Sequence, residues 1–476
     1  MKAENGNSLT RDQAYSYINE NLFKLSSPEL KKEHPTWPGY VGMEVEMLPV
    51  RNHHKTRIPL PIQRNENLMF SALQSLAEEN QWGVVYEDYH KEKLILMLKL
   101  PDGDNITFEP GGQLEYSSQP LRCLEDVHTK LKDIQTQCDK VLYERDMGLL
   151  QIGMNPWHSV EQIGIQNPKK RYLAMDSYFN KIRSLAGPQM MRKTCSIQVC
   201  LDFGWNDSTM VKRYLAAQLI APALSSLFAY SPFNEEGHIG IHSLRNTVWR
   251  SLDFRRSGFV GLEKIAKGFS RQSCVDAYFD FAMSCPVVFV ERLNYLVPNL
   301  ITMQEWMQHG IEAVYPTLDD FKIHLSLLFP EVRPRGYLEL RSIDCLPRVW
   351  QIAPAAFTIG LLYDEKSLDQ VLNAMLPQIK SIDNQMSLAK NGLHTELLHK
   401  QAVLLMEWAI EGLQRISTHF CGRDANKILK AYSHRFSERG RTPADDLVDL
   451  VRKKQEKHPV LQDFEVLEQE WSELLV

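Results

Sequence analysis

The chain has 476 residues, 43% hydrophobic and 24% charged, with a formal net charge of −5. Such a length can bury one large core or two to three ordinary ones. A nearly balanced charge with no long basic tract argues against nucleic acid or an anionic membrane as a partner. The eight cysteines are scattered without a CxxC pair, which fits buried free thiols in a reducing, cytoplasmic setting better than a disulfide framework.

Taken in chain order, residues 1–36 read as an N-terminal helical segment with no apolar core of the signal-peptide kind. A catalytic domain is expected over 37–378, strand-rich to about residue 118. In Val41–Leu48, Glu44 and Glu46 share one face while Met43, Val45 and Met47 share the other. The adjacent His53 and His54 read as a solvated basic loop. Leu94–Leu100 and Asn105–Glu109 flank an Asp102-Gly103 turn, a hairpin signal. Glu109-Pro110-Gly111-Gly112-Gln113 is a tight turn that carries Glu109 toward Glu115. Cys123–Arg145 has the apolar spacing of an amphipathic helix.

Strand signals return at Leu149–Met154, Cys195–Phe203 and Gly336–Arg341. The uncharged run Tyr214–Phe233 is interrupted by Pro222, Ser225 and Ser226, which favours a buried helix over a membrane span. Residues 379–476 read as polar helices packed on the same domain. The hairpin favours an antiparallel sheet flanked by helices, an α+β arrangement, over a doubly wound parallel sheet.

Five strands carry one apolar and one polar face, and glutamates recur on the polar ones: Glu44 and Glu46; Glu109; Glu115; Gln198 with Asp202; Glu339 with Arg341. Two readings stand: a solvated outer face, or the wall of a cavity. The absence of lysine from these faces points to the cavity. Carboxylates gathered there repel unless a cation neutralises them, and the hard divalent ions Mg²⁺ and Mn²⁺ suit carboxylate oxygens. There is no G-x-x-x-x-G-K-[ST] loop, no G-x-G-x-x-G and no His/Cys spacing of the zinc kind.

Together these segments resemble the glutamate–cysteine ligase family in its plant and proteobacterial branch. The resemblance rests on Gly42-Met43-Glu44-Val45-Glu46, on Glu109–Glu115, on Met191–Phe203 and on Tyr337–Arg341. Weaker matches follow in order at Arg245, Trp249, Asp253, Arg256 and Gly258, then at Pro316–Leu318, Phe329–Arg333 and Gly360–Asp364. It implies a glutamine-synthetase-like fold, a curved antiparallel sheet forming a funnel for ATP and Mg²⁺. The implied reaction uses ATP to phosphorylate the γ-carboxylate of L-glutamate, after which the amine of L-cysteine displaces phosphate to give γ-glutamylcysteine.

By this resemblance Glu44, Glu46, Glu109, Glu115 and Glu339 are metal ligands, joined by Gln198, and Arg341 meets the γ-phosphate of the nucleotide. Glu339 and Arg341 carry catalysis; Arg192, Arg245, Arg256 and Trp249 bind the amino-acid substrate. The expected state is a monomer or homodimer. Ser342–Pro347 and Arg250–Arg255 depart from the family pattern, which keeps open a related ligase with another acceptor amine and a catalytically silent nucleotide-binding homologue.

Overall fold

Alternation along Val41–Arg51 makes this strand the centre of the fold. The computed structural model describes residues 8–475 except 35, 52–54, 61–67, 90–91, 294, 298, 417 and 423. Val41, Met43, Val45 and Met47 are enclosed in the core, while Glu44 and Glu46 on the opposite face are half-buried.

Among the described residues nine strands form the main sheet: β1 (Val41–Arg51), β2 (Gly83–Tyr89), β3 (Glu92–Lys99), β4 (Asn105–Phe108), β5 (Leu114–Ser117), β6 (Met147–Leu150), β7 (Ser196–Leu201), β8 (Val332–Pro334) and β9 (Leu338–Asp344). Their order is β8-β9-β7-β1-β5-β4-β3-β2, with β6 pairing the far end of β1. Every pair is antiparallel. The fold is α+β. The expected hairpin is β3–β4, with Met97 opposite Thr107 and Gly103 at φ +97° in its turn.

The expected strand at 149–154 is shorter than its hydrophobic run. It ends at Leu150, and the chain leaves the ladder so that Gly153 can lie against Asp344, where an added Cβ would sit 2.6 Å from Asp344 Cγ. The amphipathic helix forms over Leu124–Tyr143 and packs its Leu124, Val127, Leu131 and Ile134 stripe toward β1 and β6. The uncharged run lies mostly in the buried helix Asp207–Leu227. Among the described residues no helix is long and apolar enough to cross a membrane.

Residues beyond 379 join the rest through a backbone-to-backbone crossing. Helix Ala353–Leu362 meets helix Glu396–Arg415 at two glycines. A Cβ on Gly360 would lie 2.1 Å from the Ala409 carbonyl oxygen, and one on Gly412 would lie 2.0 Å from the Gly360 carbonyl oxygen. Neither contact can relax by turning a side chain. Gly360→Ala is therefore expected to destabilise the protein by about 3 kcal/mol, the upper end for overpacking. Denaturant unfolding measures this, and an unchanged midpoint would show that the helices separate freely.

Candidate active site

Strand register gathers the acidic residues. Glu44 lies opposite Gln198, Glu46 opposite Glu115, and Glu339 opposite Cys200. Side chains pointing the same way on β1, β5, β7 and β9 therefore share one cleft wall. Glu109 joins them from the turn after β4. That turn is held tightly: a Cβ on Gly111 would lie 2.3 Å from the Arg192 carbonyl oxygen, and Gly112 has φ +87°. Gln113 is buried rather than facing the cleft, and its Nε2 donates to the carbonyls of Thr194 at 3.0 Å and Met191 at 3.4 Å. It pins the glycine turn to the start of β7.

With Glu339 at 0% and Gln198 at 3% exposure, the polar faces line a cleft and are not a solvated sheet surface. The cleft has two unlike ends. At the acidic end, burial and then the neighbouring glutamates push the pKa of Glu44 and of Glu46 up to about 8. Burial and Glu109 raise Glu115 as well, although Thr107 Oγ1 donates to it at 2.7 Å. Glu46 accepts the Ser196 N–H at 2.7 Å and Gln198 Nε2 at 3.4 Å; Glu109 accepts the Tyr172 hydroxyl at 3.2 Å. A cation stands nearby. Lys169 is buried, donates to the carbonyls of Leu96 and Phe108 at 3.3 Å, and is lowered to about 8 by burial against the pull of Glu109.

At the basic end Glu339 is clamped. It accepts from Arg333 Nε at 2.6 Å and Nη2 at 3.0 Å, from Arg335 Nη1 at 2.9 Å and from Arg341 Nη1 at 2.7 Å. Burial alone would raise its pKa, but the guanidiniums outweigh it and hold the carboxyl well below the ordinary range. Arg335 also lies 3.8 Å from Glu44 Oε1 and so bridges the two ends.

Arg341 Nη1 is shared with Gln198 Oε1 at 2.8 Å. Arg245, on helix Leu244–Arg250, donates Nη2 to the Arg341 carbonyl at 2.8 Å and stands 3.9 Å from Asp344. Asp344 itself accepts from Ser231 Oγ at 2.6 Å, Tyr230 N at 2.9 Å and Ser243 Oγ at 3.0 Å. Trp249 has Arg245 Cζ 5.2 Å and Arg341 Cζ 5.4 Å from its ring centroid. Arg192 pairs with Asp176 on helix Lys170–Lys181 and donates Nη1 to the Val160 carbonyl at 3.5 Å. The buried Nε atoms of Arg192, Arg245 and Arg341 and the Trp249 indole N–H have no hydrogen-bond partner among the described residues.

Arg256, expected to bind the amino-acid substrate, is set into the packed interior. It is fully enclosed, donates to the carbonyls of Leu327 at 2.9 Å and Pro286 at 3.0 Å, and lies 3.4 Å from Asp253. Its fork is spent on backbone carbonyls, so it braces the loops behind Trp249. His53 and His54 lie outside the described residues. Sequence reading assigns no role to Arg333, Arg335, Lys169 or Asp344. Arg333 was visible in the Phe329–Arg333 segment and faces Glu339 across the ladder, whereas Lys169 and Asp344 carry no local signal.

A family model described as glutamate-cysteine ligase family 2 matches residues 40–466. The chain is 32% identical over 396 residues to the chloroplastic glutamate–cysteine ligase of Medicago truncatula, covering 81% of this chain and 74% of that one. It is 31% identical over 408 residues to the chloroplastic glutamate–cysteine ligase B of Oryza sativa subsp. japonica, covering 82% and 78%. A crystal structure of a glutamate–cysteine ligase from Francisella tularensis in complex with AMP shares the fold, with TM-score 0.51, 13% identity and coverage of 91% and 89%. Both of these relatives carry the name chloroplastic, which overturns the cytoplasmic expectation. All eight cysteines are free.

The raised carboxylates make stability depend on pH. Their folded pKa lies above the unfolded value, so their contribution is complete below about 4.3 and is lost as pH rises through about 8. In EDTA the melting temperature should fall as pH is raised from about 6 to about 9, and the fall should be shallower in Glu44→Gln. Equal slopes in the two proteins would show that Glu44 is not held protonated.

Proposed function

The chain belongs to the glutamate–cysteine ligase family, and we propose that its cleft performs the family reaction in the following way. It is an ATP-dependent ligase that joins the γ-carboxyl group of L-glutamate to the amine of L-cysteine, giving γ-glutamylcysteine for glutathione biosynthesis. One observation supports the site assignment above others: carboxylates short of a counter-ion stand beside N–H donors short of an acceptor.

Glu44, Glu46, Glu109 and Glu115 offer an all-carboxylate donor set, which fits Mg²⁺ or Mn²⁺. Gln198 and Glu339 border that set. Both oxygens of Glu339 are already held by Arg333, Arg335 and Arg341. When bound, the metal supplies charge neutralisation for the nucleotide phosphates.

Arg341 is held by Gln198 and Glu339 and keeps an unpaired Nε for the transferring phosphoryl group. Arg245 and Trp249, which stand beside Arg341, are assigned with Arg192 to the glutamate carboxylates. An oxygen of the γ-carboxylate attacks the γ-phosphorus and ADP leaves. The cysteine amine then attacks the acyl carbon, loses a proton, and inorganic phosphate leaves with one former glutamate oxygen. The enclosing walls shield the acyl phosphate from hydrolysis. The catalytic unit is 37–378, with 1–36 and 379–476 packed on it, in a monomer or homodimer.

Purified protein with ATP, Mg²⁺, L-glutamate and L-cysteine should release ADP and form a γ-linked dipeptide. Glu46→Gln keeps size and mimics the protonated side chain, so the fold should persist. Turnover should fall by two decades or more, about 2.7 kcal/mol of barrier. Near-normal turnover of that variant at saturating ATP and Mg²⁺ would remove Glu46 from the metal set.

A further inference from the structure

Away from the glutamate cluster, three residues distant in sequence converge. His242 Nε2 lies 3.1 Å and His394 Nε2 2.7 Å from the same atom, Asp445 Oδ1. The two imidazole rings have centroids 4.3 Å apart, and the ligand atoms of all three residues fall within 4.8 Å of one another. We propose that His242, His394 and Asp445 form a binding site for a zinc-class divalent transition metal, separate from the carboxylate cluster.

The donor set and its supports carry this assignment. Two imidazoles and a carboxylate suit zinc and its neighbours, and leave a position for water. In tetrahedral zinc coordination, ligand atoms at ordinary bond lengths lie roughly 3.3 Å apart. The two nitrogen–oxygen contacts are close to that separation, so small shifts of the side chains make room. Asp445 Oδ2 accepts from the Thr442 backbone N at 2.8 Å and from Thr442 Oγ1 at 2.9 Å, which aims Oδ1 at the histidines. His242 is buried, whereas His394 is half exposed and gives a cation access from solvent.

Backbone contacts hold the ligands together. The N–H groups of His242 and Ser243 both donate to the Lys390 carbonyl at 2.9 Å. Gly392, at φ +60°, sits where an added Cβ would lie 3.1 Å from Thr442 Cγ2 and 3.3 Å from His242 Cβ. His242 Nδ1 has no hydrogen-bond partner among the described residues. A metal on Nε2 therefore leaves an unpaired N–H there, which sets the affinity about 10–100-fold below that of a site with a complete outer shell. The site also reaches the catalytic cleft. Ser243 follows His242, caps helix Leu244–Arg250 and donates to Asp344, so an ion here would fix the foot of Arg245 and Trp249.

Cobalt titration with full-length protein in excess Mg²⁺ tests the proposal, because Mg²⁺ fills carboxylate sites and competes poorly for imidazole. Wild type should bind one equivalent of Co²⁺ with the intense visible bands of a low-coordinate nitrogen site. Zn²⁺ should displace it and raise the melting temperature. His394→Ala, at a half-exposed position, should keep the wild-type melting temperature without metal. It should lose affinity by at least the 10–100-fold that a missing outer-shell partner costs. Absence of those bands in wild type, or their persistence unchanged in His394→Ala, would overturn the site.

Discussion

Carboxylates crowded onto one face of an antiparallel sheet are the constraint to which the rest of the structure answers. Glu46 and Glu115 stand directly opposite across a strand pair, where like charges destabilise. Proteins seldom place such pairs on a buried face without a compensating charge. Here the compensation differs at the two ends. Glu339 is neutralised by Arg333, Arg335 and Arg341. Glu44, Glu46 and Glu115 have no such clamp, and burial with their like-charged neighbours raises all three, with Lys169 as a nearby buried cation.

That asymmetry gives the cleft a direction. Its acidic end can exchange protons for a metal, and its basic end holds fixed guanidiniums whose Nε atoms, like the Trp249 indole N–H, lack acceptors among the described residues. A polyphosphate chain with its counter-ion matches the first, and the carboxylates of an amino acid match the second. The surrounding fold keeps both ends rigid. Gly111 and Gln113 lock the glutamate-bearing turn to β7, Asp344 supports Arg245, and Arg256 braces the loops behind Trp249.

Much of this was legible in the sequence because strand alternation is a local signal. Glu44 and Glu46 on β1, Glu115 on β5, Gln198 on β7 and Glu339 with Arg341 on β9 were assigned to one face, and the register brings those faces together. Motif order made the family visible as well. Pairing, in contrast, is a tertiary fact. Nothing local tells that Arg256 is turned onto the carbonyls of Leu327 and Pro286 while Arg245 stays beside Arg341. The clamp on Glu339 depends on β8 lying next to β9. His242, His394 and Asp445 share no spacing that a sequence motif would contain, and they meet only because the 390–394 turn and the helix Pro443–Lys453 close over the start of helix Leu244–Arg250.

The central claim is that this cleft activates glutamate by phosphorylating its γ-carboxylate. Oxygen-18 placed in that carboxyl group follows the bond that breaks. With ATP, Mg²⁺ and L-cysteine, the released inorganic phosphate should carry one labelled oxygen, and the dipeptide should retain the other. Unlabelled phosphate, or label recovered in AMP, would contradict phosphoryl transfer to glutamate.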